Sequence, residues 1–296
     1  MSTYSFENCN TVEALSQHKR CIYLTTASYK LEMTQSVISN LSRLIPMQHW
    51  QKFQAALIFY TCLPLLPKGM LDFRGIAVYA PLIGIFIGSA IACLDLLLGL
   101  LKPTPEFIYL RSLLTILLGL LITGGLHLDG AMDTADGLAV TDPNRRLEVM
   151  ADSNTGAFGA MAAIAILLFK VVALAAITDQ RFWILANVWA WARWGQLRAI
   201  MAYPYLKVIG KGKFHQEDLH HWQVWLVAIL LTMSNLAIAY FFHAIYLGIG
   251  ITLIGFILAW LIGAWFNRQL GGHTGDTYGA IVEWTEALSL VAIAYL

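Results

Sequence analysis

The chain has 296 residues, 58% of them hydrophobic and 12% charged, with a formal net charge of +1. Soluble domains carry roughly 25% charged residues, so this composition excludes an ordinary soluble enzyme and points to a membrane protein. The near-neutral balance offers no footprint for nucleic acid as a partner.

Taken in chain order, residues 1–46 are a polar extension holding His18, Lys19, Arg20, Lys30 and Arg43. They lack the apolar core of roughly 7–15 residues that a signal peptide needs. The working protein is expected to begin near Met47, as one membrane-embedded domain over residues 47–296. The run from Phe53 to Leu66 is broken by Pro64 and reads as interfacial or re-entrant. Apolar runs near about 20 residues, the length that crosses a bilayer, follow at 75–101, 107–126, 157–178, 182–204, 222–242, 245–266 and 280–296. The expected fold is all-α, a polytopic helical bundle of about 7–8 transmembrane or re-entrant segments. Cys9, Cys21, Cys62 and Cys93 show neither metal-ligand nor redox spacing.

The polar connections 127–156, 205–221 and 267–279 fall on one side if the runs alternate, as does the connection before Gly75. That side carries Lys68, Arg74, Arg145, Arg146, Lys207, Lys211, Lys213 and Arg268, against Lys102, Arg181 and Arg111 on the other. The positive-inside bias makes the former cytoplasmic. The chemistry-bearing residues then share one cytoplasmic face of a cell (inner) membrane protein.

The first constellation on that face is Gly124-Gly125-Leu126-His127-Leu128-Asp129-Gly130, continuing to Asp133-Thr134-Ala135-Asp136-Gly137. Asp129, Asp133 and Asp136 stand at i, i+4 and i+7, so a helix, turning about 100° per residue, sets them on one narrow face. Three carboxylates so close repel one another unless a divalent cation lies between them. His127 can orient a carboxylate or act as a base. Asp142-Pro143 reads as an N-cap with proline at the first helical position. A short helix with Arg145, Arg146 and Glu148 follows, and Asp152 beyond it is a candidate fourth oxygen ligand. Gly156 and Gly159 break that helix before the next span.

The second constellation is Gly271-Gly272-His273-Thr274-Gly275-Asp276, a loop whose backbone amides can cradle a phosphate. Glu283 and Glu286 follow inside an apolar run, where acids are costly unless paired. Lys170 and Arg193 form a third set within their spans, needing either those glutamates or a bound phosphate. Arg198 reads as a snorkelling residue near a helix end, and Asp95 has no assigned role. Trp183, Trp189, Trp191 and Trp194 read as a membrane belt and helix packing. Gly84 and Gly88 read as a small-residue packing pair. Acids for Mg²⁺, bases for phosphate and glycines for close approach together describe phosphoryl transfer on a lipid-associated substrate.

These motifs resemble the cobalamin synthase family, adenosylcobinamide-GDP ribazoletransferases, from about Phe59 to the C-terminus. The likeness rests on Gly124–Gly130 with Asp133–Gly137, on Arg146-Leu147-Glu148-Val149-Met150 with Asp152-Ser153, and on Leu270–Thr277. The resemblance implies that a ribose hydroxyl of α-ribazole, or of its 5′-phosphate, attacks the phosphate attached to cobinamide. GMP leaves, and adenosylcobalamin or its 5′-phosphate forms, with Mg²⁺ required. On that footing Asp129, Asp133 and Asp136 hold Mg²⁺, with Asp152 as a further ligand. One of these carboxylates or His127 takes the proton. Lys170, Arg193, Glu283 and the loop residues Gly271, Gly272, Thr274, Gly275 and Asp276 bind substrate. The chain departs from the family pattern at Cys62, where arginine is usual, and at Asn154, where a basic residue is common. A homo-oligomer is compatible with the sequence, which does not specify one. The rival readings are a CDP-alcohol-type phosphotransferase, whose later paired aspartates are missing here, and a transporter, for which no internal repeat is visible.

Overall fold

The computed structural model describes residues 47–64, 71–207 and 219–296. The expectations for residues 1–46, Lys68, Lys211 and Lys213 lie outside the described residues. The chain divides into units of residues 1–50 and 51–296, and the second is the helical body. The α-helices run in chain order as α1 (Met47–Tyr60), α2 (Ala80–Leu101), α3 (Ile108–Thr123), α4 (Leu126–Ala139), α5 (Arg146–Val149), α6 (Ala157–Ala176), α7 (Arg181–Ala202), α8 (His221–Phe241), α9 (Ile245–Leu270) and α10 (Gly275–Ile293). Among the described residues the one β-type contact is an isolated bridge between Tyr205 and His273.

Among the described residues five segments are long and apolar enough to cross a bilayer: Ile76–Leu101, Pro105–Thr123, Ala157–Ala176, His221–Phe241 and Ile245–Leu270. The expected helical membrane bundle is therefore the observed class. Helices α7 and α10, also expected as spans, fall outside that set because they carry Arg193, Gln196, Arg198, Glu283 and Glu286. They can do so because neighbours bury them around most of their circumference. A helix that meets protein rather than lipid tolerates polar groups provided they are paired.

Glycine sets how closely the helices meet. A Cβ on Gly84 would lie 2.4 Å from the carbonyl oxygen of Trp189, and one on Gly88 would lie 2.6 Å from that of Leu185. Helices α2 and α7 thus touch backbone to backbone, the packing role expected of this pair. Across α7, Gly255 of α9 receives the Trp191 side chain, where a Cβ would sit 2.6 Å from it. Trp191 and Trp194 meet each other at 5.3 Å between ring centroids, and Trp194 stacks on Phe256 at 5.1 Å. The four tryptophans of α7 are buried; they are core, and the membrane-belt part of their expected role is corrected.

Asp95 acquires a clear role. Its carboxylate accepts from Arg111 Nε at 3.0 Å, and from Arg181 Nε and Nη2 at 2.9 and 2.6 Å; Arg111 Nη2 adds a further bond. Arg181 also donates to the carbonyl of Ile177 at 2.9 Å and to Ser112 Oγ at 3.0 Å. One carboxylate thereby ties α2, α3, the end of α6 and the start of α7. Removing it would leave two guanidinium groups, one of them almost fully buried, without an anion. Asp95→Asn is expected to cost about 3–5 kcal/mol, the usual penalty for breaking a buried ion pair. A thermal midpoint in detergent equal to that of the wild type would refute this reading.

Candidate active site

Helix α3 stops because Gly124 and Gly125 both take left-handed backbone, φ 61° and 74°. The Gly125 amide returns to Leu120 O at 3.1 Å and the Gly124 amide to Leu121 O at 3.2 Å, closing the last turn. Helix α4 starts immediately after. Residues 127–156 were expected as a polar connection with its acids in helical phase, and the first part of it is this 14-residue helix, too short to cross a bilayer alone. It packs chiefly against α10 and α6.

Two glycines set the α4–α10 contact. A Cβ on Gly130 would lie 2.6 Å from the Asp276 carbonyl oxygen, and one on Gly279 would lie 2.8 Å from the His127 carbonyl oxygen. The backbones therefore touch at two points, and Asp276 at the start of α10 joins the acids of α4. Burial pushes the Asp133 carboxyl up to about 6, and the nearby charges of Asp129, Asp276 and Asp136 push it the same way; Lys207 opposes them. Lys207 Nζ meets Asp276 Oδ2 at 2.9 Å. Four carboxylates thus share one region, with Lys207 as a counter-charge.

Asp136 is the most firmly held of the four. It accepts from the amides of Gly156 at 2.7 Å and Gly159 at 2.8 Å, at the N-terminus of α6. A helix N-terminus favours such an anion. A Cβ on either glycine would come within 2.4 Å of a carboxylate oxygen, so these residues are seats for Asp136 as well as helix breakers. Asp142 accepts from the Asn144 amide at 3.0 Å, as its N-cap reading requires. Asp152 is exposed and bonds within its own loop, to the Asn154 amide at 3.0 Å and Nδ2 at 2.8 Å. Among the described residues no three His, Cys, Asp or Glu side chains converge closely enough to hold a metal as they stand.

The Gly271–Asp276 loop is half committed to structure. The His273 amide donates to Pro204 O at 2.8 Å, and Leu206 N donates back to His273 O at 2.8 Å. Thr274 caps α10: its amide donates to Thr277 Oγ1 at 2.9 Å, and its hydroxyl accepts from the Thr277 amide. Gly271 and Gly275 face open space, whereas Gly272 is pressed against Pro204 and Leu206. The loop's free side is therefore at Gly271 and Gly275.

Deeper in the body, Lys170 Nζ meets Glu283 and Glu286, both at 2.6 Å, and Arg193 Nη1 meets Glu286 at 2.7 Å. All four residues are buried. Of the two partners expected for Lys170 and Arg193, this structure has the glutamates; a phosphate would have to displace them. His127 is 2% exposed, with neither ring nitrogen hydrogen-bonded. Burial, then the charges of Arg193 and Lys170, hold its pKa well below the usual histidine range, so it is a neutral imidazole. Its ring lies parallel to Tyr60 at 6.2 Å. Arg198 does not snorkel: it is buried, with its guanidinium 3.5 Å from the centre of the Trp260 ring.

Sequence reasoning did not pick out Lys207 as the neighbour of Asp276, nor the amides of Gly156 and Gly159 as the seat of Asp136. The glycine spacing ahead of an apolar run was the available signal for the latter.

The Asp133 shift fixes a sign for stability. A folded-state pKa raised to about 6 from the ordinary 3.8 means that the folded protein binds this proton more tightly than the unfolded chain. Its stabilising effect is lost as pH rises through about 6. In chelator-treated protein, Asp133→Asn should therefore gain thermal stability over wild type on going from pH 5 to pH 7. An advantage that shrinks over that interval would contradict a raised pKa for the half-buried Asp133 carboxyl.

Comparisons with known proteins place the chain. The cobalamin-5-phosphate synthase family model matches residues 52–294. An adenosylcobinamide-GDP ribazoletransferase of Synechococcus elongatus is 49% identical over 248 residues, covering 83% of this chain and 96% of the relative. That of Trichormus variabilis is 48% identical, over 82% of this chain and 96% of the relative. A more distant one, from Prochlorococcus marinus, is 36% identical over 84% and 97%. No solved structure matches. The matched region contains the acid-bearing helix, the glycine seats, the buried ion pairs and the capped loop, and the chain belongs to the cobalamin-5-phosphate synthase family.

Proposed function

We propose that this protein joins adenosylcobinamide-GDP to ribazole or ribazole 5′-phosphate, giving adenosylcobalamin or its 5′-phosphate and releasing GMP. The carrying observation is near-full-length similarity to relatives named for this transfer, with the four-carboxylate region inside the matched residues.

In the reaction a ribose hydroxyl forms a new P–O bond to the phosphate that carries cobinamide. The P–O bond to GMP breaks, and the hydroxyl proton must find a base. Such a transfer asks the protein chiefly for positioning and charge neutralisation. The fit of a cation to this region is supported by the crowding at Asp133, whose carboxyl is raised to about 6 first by burial and then by the charges of Asp129, Asp276 and Asp136. An all-oxygen donor set suits Mg²⁺. Asp129, Asp133 and Asp136 would hold it, with Asp276 beside them; Asp152 would join only by leaving its own loop. Bound there, Mg²⁺ would supply neutralisation of the diphosphate oxygens.

The chain's own groups do the rest. Asp136, fixed by two amides, sets the register of the acid row. Asp129, the exposed member, is placed to take the hydroxyl proton. Lys207 and the open side of Gly271 and Gly275 border the acids and can receive phosphate oxygens. Lys170, Glu283, Glu286 and Arg193 hold α6, α7 and α10 together beneath this surface, and in this reading they position rather than touch substrate. Arg145, Arg146, Lys207 and Arg268 lie toward the acid-bearing helix ends, which supports a cytoplasmic face for the reaction in the inner membrane.

Asp129→Asn and Asp133→Asn should each lower GMP release about 10²-fold or more, in keeping with the loss of one group that stabilises transition-state charge. Membrane insertion should be unchanged. Chelation should abolish release and added Mg²⁺ restore it. Wild-type turnover in both variants, or in chelated protein, would sink the metal-assisted mechanism.

A further inference from the structure

Helices α4 and α9 have little direct contact, and between them lies a groove of about 630 Å³ that also reaches the first turn of α6 and the middle of α10. A turn of about 100° per residue puts its α4 wall, with Ala131, Ala135 and Leu138, on the face away from Asp129, Asp133 and Asp136. Among the described residues no charged side chain lines it, and its one hydroxyl, on Thr134, already donates to Gly130 O at 2.7 Å. From Thr277 to Leu290 every residue of α10 is buried except Trp284 and Leu288, and both of these line the groove. Over that stretch it is the outward window of the helix that carries Glu283 and Glu286.

The groove is continuous with the surface that the spanning helices turn to the bilayer. Phe158, Leu261 and Trp265 of its lining are each more than half exposed. On α9 the exposed stripe Leu253, Ile257, Leu261, Trp265 passes from hydrocarbon to an indole and, one turn on, to exposed Arg268. That is the order in which a leaflet passes from acyl chains to headgroups. At the same end Arg146 joins the two walls. Its Nε donates to Val140 O at 3.4 Å, just past α4, and its Nη1 donates to Gln269 O at 2.9 Å, near the end of α9. Among the described residues neither Arg146 nor Arg268 meets a carboxylate.

Hydrocarbon walls ending at two guanidiniums match a lipid with an anionic phosphate head. We propose that the groove holds an acyl chain of an anionic phospholipid from the surrounding bilayer, with its phosphate at Arg146 and Arg268. A guanidinium fork suits phosphate oxygens, and cations at this depth favour lipids of net negative charge. A hydrophilic ligand would lose its hydrogen bonds to water against such walls. The chain fills the space between α4 and α9, so the lipid braces the rear of the acid-bearing helix.

The test uses the full chain, purified in detergent and washed free of bulk lipid. Native mass spectrometry then measures binding of phosphatidylglycerol and of phosphatidylcholine with identical chains. Wild type should bind phosphatidylglycerol about tenfold or more tightly than phosphatidylcholine, the preference that two cations beside a headgroup confer. Arg268→Gln, which breaks no described hydrogen bond, should lower that preference about fivefold. Arg146→Lys keeps the charge and should keep most of the preference, whereas Arg146→Gln should lose it. Ala139→Phe, at the groove's end, should weaken both lipids about tenfold by overfilling the space. Phosphatidylglycerol should also raise the thermal midpoint of wild type, and that gain should shrink in Ala139→Phe.

Equal binding of the two lipids, unchanged by Arg268→Gln and Ala139→Phe, overturns the lipid site. No lipid bound by folded wild type, whether residues 1–46 or a second copy of the chain fills the groove, overturns it as well. Because the readout is lipid binding, either failure leaves the transferase reading as it stands.

Discussion

The contact between α4 and α10 is the constraint on which the site depends. At Gly130 and Gly279 the two backbones meet with no room for a Cβ. Any larger residue there would force the helices apart. Separation would carry Asp276 away from the α4 acids and His127 away from α10. The crowding of charge that favours a cation is thus a consequence of helix packing. Acids placed at i, i+4 and i+7 on an isolated helix would relax into solvent; here the helix is pinned on one side by α10 and on the other by the amides that hold Asp136.

Buried charge makes the scaffold rigid in two separate places. Asp95 gathers Arg111 and Arg181 at one end of the bundle, and Lys170 with Arg193 gathers Glu283 and Glu286 nearer the site. Each group alone in a low-dielectric interior would be severely penalised. Together they exchange that penalty for fixed geometry, because breaking any one bond strands its partner. This is why the most polar helices, α7 and α10, lie where neighbours bury them. Hydropathy treats their charges as a defect in a span, whereas in the fold they are internal fasteners.

Much of this was legible in the sequence. The apolar runs gave the helices, the helical phase of Asp129, Asp133 and Asp136 was readable from spacing, and Asp142-Pro143 and Gly84 with Gly88 took their expected roles. The misreadings share one cause. Residues 126–139 read as a connection with its acids in helical phase, but the packing of the opposite, buried face of that helix was not visible. Arg198 looked free to snorkel because its place near a helix end was visible and the Trp260 ring beneath it was not. Asp95 stayed without a role because its partners are 16 and 86 residues away. Spacing along one helix is written in the sequence; the facing surface of another helix is not.

The helix break links these features to chemistry. A continuous helix from Ile108 to Ala139 would satisfy its backbone without any pause, and it would leave no opening beside Asp129. The two left-handed glycines interrupt it at the cost of their backbone entropy, and the carbonyls they expose are recovered by Cys62, whose amide donates to Ile122 O at 2.8 Å and whose thiol donates to Leu121 O. The break is therefore stabilised from outside the helix, by the segment that follows α1. Backbone groups freed at a helix break in a membrane protein need protein or a cavity, rather than lipid, to receive them. Here the segment after α1 receives them, and the opening beside the break is lined by Asp129.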